Sequence, residues 1–114
     1  MSPSAKAVVR FLASKSRNEW LSTPEMEVFV RRSKRCHPIS QRAIKCFDIA
    51  NVTVNNREQG VFTSWLGELQ KIVLDAKFDA IFVESIMTER FEQYFIKRGW
   101  YRVPGIDRNF LLML

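Results

Sequence analysis

The chain has 114 residues, of which 46% are hydrophobic and 26% charged, a composition that predicts a single globular domain over residues 1–114 and excludes wholesale disorder. Its formal net charge is +6, and the whole excess lies in residues 1–48, where ten Lys and Arg outnumber four acids. No apolar run reaches the roughly 18 residues of a membrane span or has the form of a signal peptide, so we expect a cytoplasmic protein with no membrane partner.

The first part of the chain predicts a helical segment over residues 1–22. Ser2 and Pro3 form a helix-start signal, and apolar residues follow at helical spacing to about residue 14. A second short helical turn is expected around Trp20, before Pro24. The core of the domain is then expected to occupy residues 25–114.

The core is predicted to alternate strands and helices. Residues 26–33 alternate as a strand does, and residues 43–54 form a long β-branched strand that should pair with it antiparallel. An apolar stripe predicts a helix near residues 63–76, followed by a buried strand at 78–86, a helix from Thr88 to Arg98, and one or two strands in the tail. This order predicts an α/β (α+β) fold whose mixed, mostly antiparallel sheet has helices on both faces.

The connection between the long strand and the next helix has the chemistry of an anion-binding turn. Its sequence, NNREQGVFTSWL, runs from Asn55 to Leu66. Backbone N–H groups at the start of a helix point outward, and the helix dipole adds partial positive charge there. Arg57 adds a full charge, and Gly60 lets a ligand approach the backbone.

Two motifs in this part of the chain resemble signatures of the GNAT acetyltransferase superfamily. The string from Arg57 to Leu66 is similar to the R/Q-x-x-G-x-G/A signature, and the segment that ends in Gly99-Trp100 is similar to the family's N-x-x-A-x-x-x-Y-x-x-x-G-F signature. Together with the element order, the resemblance covers about residues 25–114. It implies a reduced GNAT-like fold, and the end of the second motif is also similar to that of small phage-borne members.

The resemblance implies that acetyl-CoA is the co-substrate, that an amine attacks it directly, and that no metal takes part. The long strand would pair with the pantetheine arm through Val52 and Val54. The turn would hold the pyrophosphate, mainly through backbone N–H groups, with these residues: Arg57, Gln59, Gly60, Phe62 and Thr63.

The chain departs from the family pattern at two motif positions. Phe62 replaces a small residue of the pyrophosphate turn, and Phe95 replaces the tyrosine that often protonates the leaving thiolate. Glu84 is the best candidate for the general base that takes a proton from the amine, and Asp48 on the preceding strand is the second. The structural alternative is that Glu84 pairs with an arginine, such as Arg57 or Arg90, and only holds the fold.

A basic run on the first predicted hairpin is the main signal outside these motifs. Its partner-binding candidates are Arg31, Arg32, Lys34 and Arg35. Most such runs are a solvated face, but this one fits an acidic protein or a nucleic acid. Cys36, His37 and Cys46 are too few and too widely spaced for a structural zinc site, and both thiols should be reduced in the cytoplasm.

Two functions are therefore left open by the sequence. One is an N-acetyltransferase that binds acetyl-CoA and acetylates an unidentified amine. The other is a catalytically degenerate GNAT-like protein that binds a protein or nucleic acid through the basic hairpin as an accessory or structural component. A phage-encoded chain would act in the host cytoplasm, and an exposed sheet edge in so small a chain favours a homodimer.

Overall fold

The structure is a computed structural model that describes residues 1–54, 60–84, 89–105 and 108–114. For residues 89 and 90 it describes only the backbone. These residues form three helices and six strands. In chain order they are α1 (Pro3–Ala13), β1 (Asn18–Ser22), β2 (Met26–Cys36), β3 (Ala43–Val54), α2 (Val61–Asp75), β4 (Ala80–Val83), α3 (Glu89–Lys97), β5 (Tyr101–Arg102) and β6 (Phe110–Met113). None of the helices in the described ranges is long and apolar enough to span a membrane.

The six strands form one mixed sheet in the order β1-β2-β3-β4-β6-β5. The β3–β4 pair is parallel, and the other four pairs are antiparallel. The predicted mixed, mostly antiparallel sheet is therefore confirmed. The long strand runs over residues 43–54 as predicted, because its β-branched residues pair with β2 along its length.

The parallel pair ends before its longer strand does. The β3–β4 register runs from Cys46 opposite Ala80 to Ile49 opposite Val83, and the N–H of Glu84 then donates to the Ile49 carbonyl at 2.9 Å. Beyond this bond, β3 continues to Val54 paired with β2 on one edge. Within the described residues its other edge has no strand partner, so the sheet opens between β3 and β4.

The buried side chains of all three helices join one core cluster on one face of the sheet. Rings carry much of it: Phe47 lies 6.1 Å from Phe11 of α1 and 5.9 Å from Phe78, measured between ring centroids. The other face carries a second cluster, in which no helix residue takes part within the described residues; it consists of Ile44, Cys46, Ala80, Phe82 and Leu111, with Val103 packed against them. The sequence predicted helices on both faces, whereas here they share one, which we call the helix-covered face; the other is the helix-free face.

Residues 18–22 form an edge strand, where the sequence predicted a helical turn. Of its five residues only Leu21 is buried, and it pairs with Val28 of β2. A short strand with one buried residue has no alternating pattern, so its conformation is set by the β2 backbone beside it rather than by local preference. The helical N-terminal segment is accordingly limited to α1, whose start is capped as predicted by Ser2 Oγ, which accepts from the Ala5 N–H at 3.1 Å.

Candidate functional site

The helix α2 follows β3 in the chain and begins directly after Gly60. Gly60 has φ 62° and ψ 27°, a left-handed conformation that glycine adopts without strain. The first helical hydrogen bond runs from the Ser64 N–H to the Gly60 carbonyl at 3.0 Å, so the N–H groups of Val61, Phe62 and Thr63 precede it. The cap position provides no side-chain hydrogen bond. The start of a helix attracts an anion through the N–H groups of its first turn and through the helix dipole.

The Phe62 side chain points into the core. It is 5% exposed, and its ring lies 5.9 Å from Trp65 and 5.5 Å from Phe91 of α3. A large residue at this motif position therefore joins α2 to α3 within the core. Thr63 Oγ1 donates to the Gly60 carbonyl at 3.0 Å, which fixes the first turn of the helix.

The other predicted cofactor residues divide between the described and undescribed parts of the chain. Arg57 and Gln59 lie outside the described residues. Val52 and Val54 are half-buried and pack against the helix-side core cluster. They lie on the stretch of β3 that extends past β4, so the backbone edge between them faces the opening of the sheet.

Glu84 lies at the point where β3 and β4 separate. Its side chain is 34% exposed, and Oε1 accepts from Arg31 Nη2 at 2.7 Å. The arginine partner is therefore Arg31 of β2, fifty-three residues earlier in the chain. A partly exposed carboxylate at the edge of an opening can contact an incoming amine, which the role of general base requires.

Asp48 is a buried anchor. Its side chain is fully buried, and Oδ2 accepts from Arg31 Nε at 2.7 Å and from Arg35 Nη2 at 2.9 Å. Ser33 Oγ donates to Oδ1 at 2.8 Å. A carboxylate that is closed to solvent and accepts from three side chains cannot contact an amine substrate. The position of Asp48 therefore does not support it as the second candidate for the general base.

Arg31 is the centre of this charge network, because its guanidinium contacts both carboxylates. Burial lowers the pKa of Arg31, but the hydrogen bonds to Asp48 and Glu84 and the charges of these two groups outweigh it, so the pKa lies above its ordinary value. The guanidinium thus remains a fixed positive charge between a buried and a partly exposed carboxylate. The sequence had placed Arg31 only in a partner-binding patch.

The basic run does not form one surface, because alternate residues of a strand point to opposite faces. Arg31 and Arg35 join Asp48 on the helix-free face, and the Arg35 guanidinium also lies 3.7 Å from the centroid of the Phe82 ring. Arg32 points the other way and binds the end of α1, donating to the carbonyls of Phe11, Leu12 and Ser14 at 2.9, 3.2 and 3.0 Å. Lys34 is exposed.

Phe95 supports the fold through packing. It is fully buried, with its ring 4.7 Å from Trp100 and 5.2 Å from Phe110. The aromatic ring at this motif position therefore lies inside the core cluster and carries no proton donor. Tyr94, beside it, has its ring 3.8 Å from the Arg98 guanidinium.

A groove of about 400 Å³ crosses the helix-free face beside the charge network. Its walls include Arg35, Ile44, Phe82, Val103 and Leu111. Among the described residues there is no group of three or more His, Cys, Asp or Glu placed to hold a metal ion.

Comparison with known proteins gives matches at the level of structure alone. No protein-family model matches the chain, and no curated protein matches it. Similar solved structures include AtaT complexed with acetyl-methionyl-tRNAfMet, with a TM-score of 0.66 and 13% identity over 95% of this chain and 82% of that one. A mutant AtaT toxin bound to the C-terminus of the antitoxin AtaR and acetyl-CoA matches with a TM-score of 0.62 and 14% identity, and the KacTA–DNA complex with 0.61 and 10%.

These neighbours are acetyltransferases of the GNAT family. The chain has a GNAT-like fold. The match to the AtaT–AtaR structure covers 78% of this chain but 58% of the neighbour, and the match to KacTA covers 82% and 64%, so the chain spans about three fifths of those proteins.

Proposed function

We propose that the protein binds acetyl-CoA and transfers its acetyl group to an amine. The observation that carries the proposal is the opening between β3 and β4 in a GNAT-like fold, in which α2 follows β3 in the chain and begins after a left-handed Gly60. A neighbour of the same fold is known in complex with acetyl-CoA. The N-acetyltransferase acts, in this proposal, in the cytoplasm.

The donor side of the proposed site is mainly backbone. The pyrophosphate binds the N–H groups at the start of α2, from Gly60 to Thr63, and Arg57 and Gln59 of the preceding turn add side-chain contacts. The pantetheine arm, which carries amide groups, pairs with the free edge of β3 at Val52 and Val54. The inward position of Phe62 supports this arrangement, because its ring packs against Trp65 and Phe91 in the core.

The acceptor side of the proposed site is Glu84. Its carboxylate takes a proton from the amine, the amine nitrogen attacks the carbonyl carbon of the thioester, and the C–S bond breaks to release the CoA thiolate. Direct attack needs no covalent enzyme intermediate. The 34% exposure of Glu84 at the edge of the opening supports this role.

Thermal unfolding with acetyl-CoA tests the donor side. With Kd near ten micromolar, millimolar acetyl-CoA gives about a hundredfold excess, which stabilises the folded state by about 2.7 kcal/mol. For a domain of this size we expect the Tm to rise by on the order of ten degrees. Arg57→Ala should reduce the rise, and Gly60→Trp should abolish it, because a side chain at φ 62° distorts the turn.

A glycine elsewhere in the same helix provides the matched control. Gly67 of α2 is exposed, and an added Cβ there meets no atom within 4 Å. Gly67→Ala should therefore leave the acetyl-CoA shift unchanged. No shift in the wild-type protein, or the same shift in all three variants, would show that the turn does not bind the cofactor.

The second candidate is a protein of this fold that has lost catalysis and binds a macromolecule through its basic residues. The specific observation in its favour is Phe95, which is buried and has no proton to donate. Under this alternative, replacing Arg31, Arg32, Lys34 and Arg35 by alanine abolishes binding of an acidic protein or nucleic acid, and the binding weakens with added salt. An acetyl-CoA shift together with amine-dependent release of CoA thiol would contradict this alternative.

A further inference from the structure

The Arg31 guanidinium connects a rigid carboxylate to an accessible one. Nε donates to the buried Asp48 and Nη2 donates to Glu84, both at 2.7 Å. The guanidinium is planar and its N–H groups diverge at fixed angles, so fixing one end of this fork also fixes the direction of the other. The position of the Glu84 carboxylate is thereby tied to the position of Asp48, across three strands of the sheet.

The Asp48 end of this connection is held from several directions. Asp48 also accepts from Ser33 Oγ at 2.8 Å and from Arg35 Nη2 at 2.9 Å. Arg35 is itself placed by its contact with the Phe82 ring, 3.7 Å from guanidinium carbon to ring centroid. These contacts leave Asp48 little freedom to move, which makes it a fixed point for Arg31.

The Glu84 end is different, because it is partly open to solvent. Its backbone makes the last hydrogen bond of the β3–β4 pairing, to Ile49, and its side chain is 34% exposed against 0% for Asp48. Ion pairs this exposed add little to the stability of a fold. What the contact with Arg31 supplies at this place is a defined orientation of the carboxylate toward the opening.

We propose that Arg31 is a positioning residue for proton removal from the acceptor amine, acting through Glu84 and anchored by Asp48. This rests on the proposed transfer function. Arg31 itself gives up no proton: it holds Glu84 Oε1, so that the carboxylate faces the attacking nitrogen and accepts its proton as the C–N bond forms and the C–S bond breaks. A displacement of about 1 Å in such a group lowers the rate by about a hundredfold.

A double-mutant cycle distinguishes positioning from general support of the fold. The variants are Arg31→Gln, Glu84→Gln and the two combined, and the readout is release of CoA thiol from acetyl-CoA, in water alone and with a panel of primary amines. We expect each single variant to lower kcat by about 10- to 100-fold with little change in KM for acetyl-CoA. The kcat of the combined variant should lie within about threefold of that of Glu84→Gln, because Arg31 acts only through Glu84.

Two further variants test the geometry. Arg31→Lys keeps the charge but cannot hold both carboxylates in a planar fork, so it should remain slow. Arg102→Gln is the matched control, because it removes another partly exposed arginine. Arg102 Nε donates to Glu92 Oε1 at 3.0 Å, and this pair is not part of the charge network. The kcat of Arg102→Gln should equal that of the wild type. Thermal melting of every variant identifies any that does not fold.

The outcomes separate this inference from the proposed function. Independent, multiplicative losses in kcat would overturn the positioning role, as would full activity of Arg31→Gln. If the wild type and Glu84→Gln release thiol at the same rate, Glu84 and Arg31 take no part in the reaction, but the protein is still a transferase. A wild-type protein that is stabilised by acetyl-CoA yet releases no thiol under any condition contradicts both roles and leaves a cofactor-binding protein.

Discussion

The two faces of the sheet use the same strands in opposite ways. On the helix-covered face, β3 contributes Phe47 and Ile49 to an apolar core closed by α1, α2 and α3. On the helix-free face the intervening residues of the same strand are Cys46 and Asp48, and they are buried although no described helix covers them. Arginine side chains from β2 provide part of that cover, as the Arg35 guanidinium over the Phe82 ring shows.

The difference lies in how each face tolerates change. Apolar packing has no preferred direction and depends on area and volume, so it fixes the fold without fixing individual atoms as closely. A network of two carboxylates and two guanidiniums requires particular distances and angles, and breaking one partner leaves the others uncompensated. The helix-covered face therefore carries most of the stability, and the helix-free face carries the charge network, whose atomic positions matter for the proposed chemistry.

The largest effect on stability is expected from the helix-covered face. Phe47 is fully buried and packs edge-on against Phe11 and Phe78. Phe47→Ala removes these contacts and leaves a cavity, which should lower the free energy of unfolding by about 3–5 kcal/mol. Chemical denaturation would measure it, with Phe47→Leu as the control that retains most of the volume; equal losses for both would show that this packing is not specific.

A smaller loss is expected from the centre of the helix-free face. Asp48→Asn removes the charge that pairs with Arg31 and Arg35, and it should lower the free energy of unfolding by about 2–3 kcal/mol. This is less than for a fully buried pair, because both guanidiniums are about 30% exposed and can turn toward water. Asp79→Asn is the matched control: its carboxylate accepts from the Lys45 N–H at an exposed site. Similar losses for the two variants would contradict the anchoring role of Asp48.

The smallest of the three effects concerns pH and Cys46. Burial, and then the nearby Asp48 charge, raise the pKa of this thiol to about 11 from an ordinary value of 9.0. The folded state disfavours the thiolate. The contribution of the protonated Cys46 thiol to the free energy of unfolding is therefore complete below pH 9 and is lost as the pH rises toward 11.

Wild-type stability should therefore fall relative to that of Cys46→Ala by up to about 2 kcal/mol between pH 9 and 11. Denaturant unfolding of both proteins at several pH values would measure the difference, and the exposed Cys36→Ala should behave as the wild type does. A constant difference between wild type and Cys46→Ala across this range would show that the helix-free face admits water to the thiol.

Most elements could be predicted from the sequence because their patterns are strong. Residues 43–54 are β-branched and form a strand over that range, and the apolar stripe after Gly60 forms α2. The edge strand at residues 18–22 could not be, since its one buried residue leaves no periodic signal. Placing all the helices on one face also required tertiary packing, which no local pattern contains.

The candidate site was predicted in its parts more than in its connections. Glu84 lies where β3 and β4 separate, but the contact between Glu84 and Arg31 joins residues far apart in the chain. One part of the arrangement was accessible from the strand period: Arg31 and Arg32 are adjacent in a predicted strand, so they had to point to opposite faces and could not share one patch. The burial of Asp48 required the structure.

The separation of contacts along the chain also has a consequence for the order of folding. The β2–β3 hairpin pairs Cys36 with Ala43 across a short connection. The contact between Lys45 and Asp79, just before the parallel β3–β4 pair begins, joins residues 34 positions apart, and the Arg31–Glu84 contact spans 53. Contacts between distant residues close larger loops and form later. The hairpin should therefore assemble early and the Arg31–Glu84 contact last, so that whatever stability a substitution at Arg31 removes should appear as faster unfolding, with the folding rate nearly unchanged.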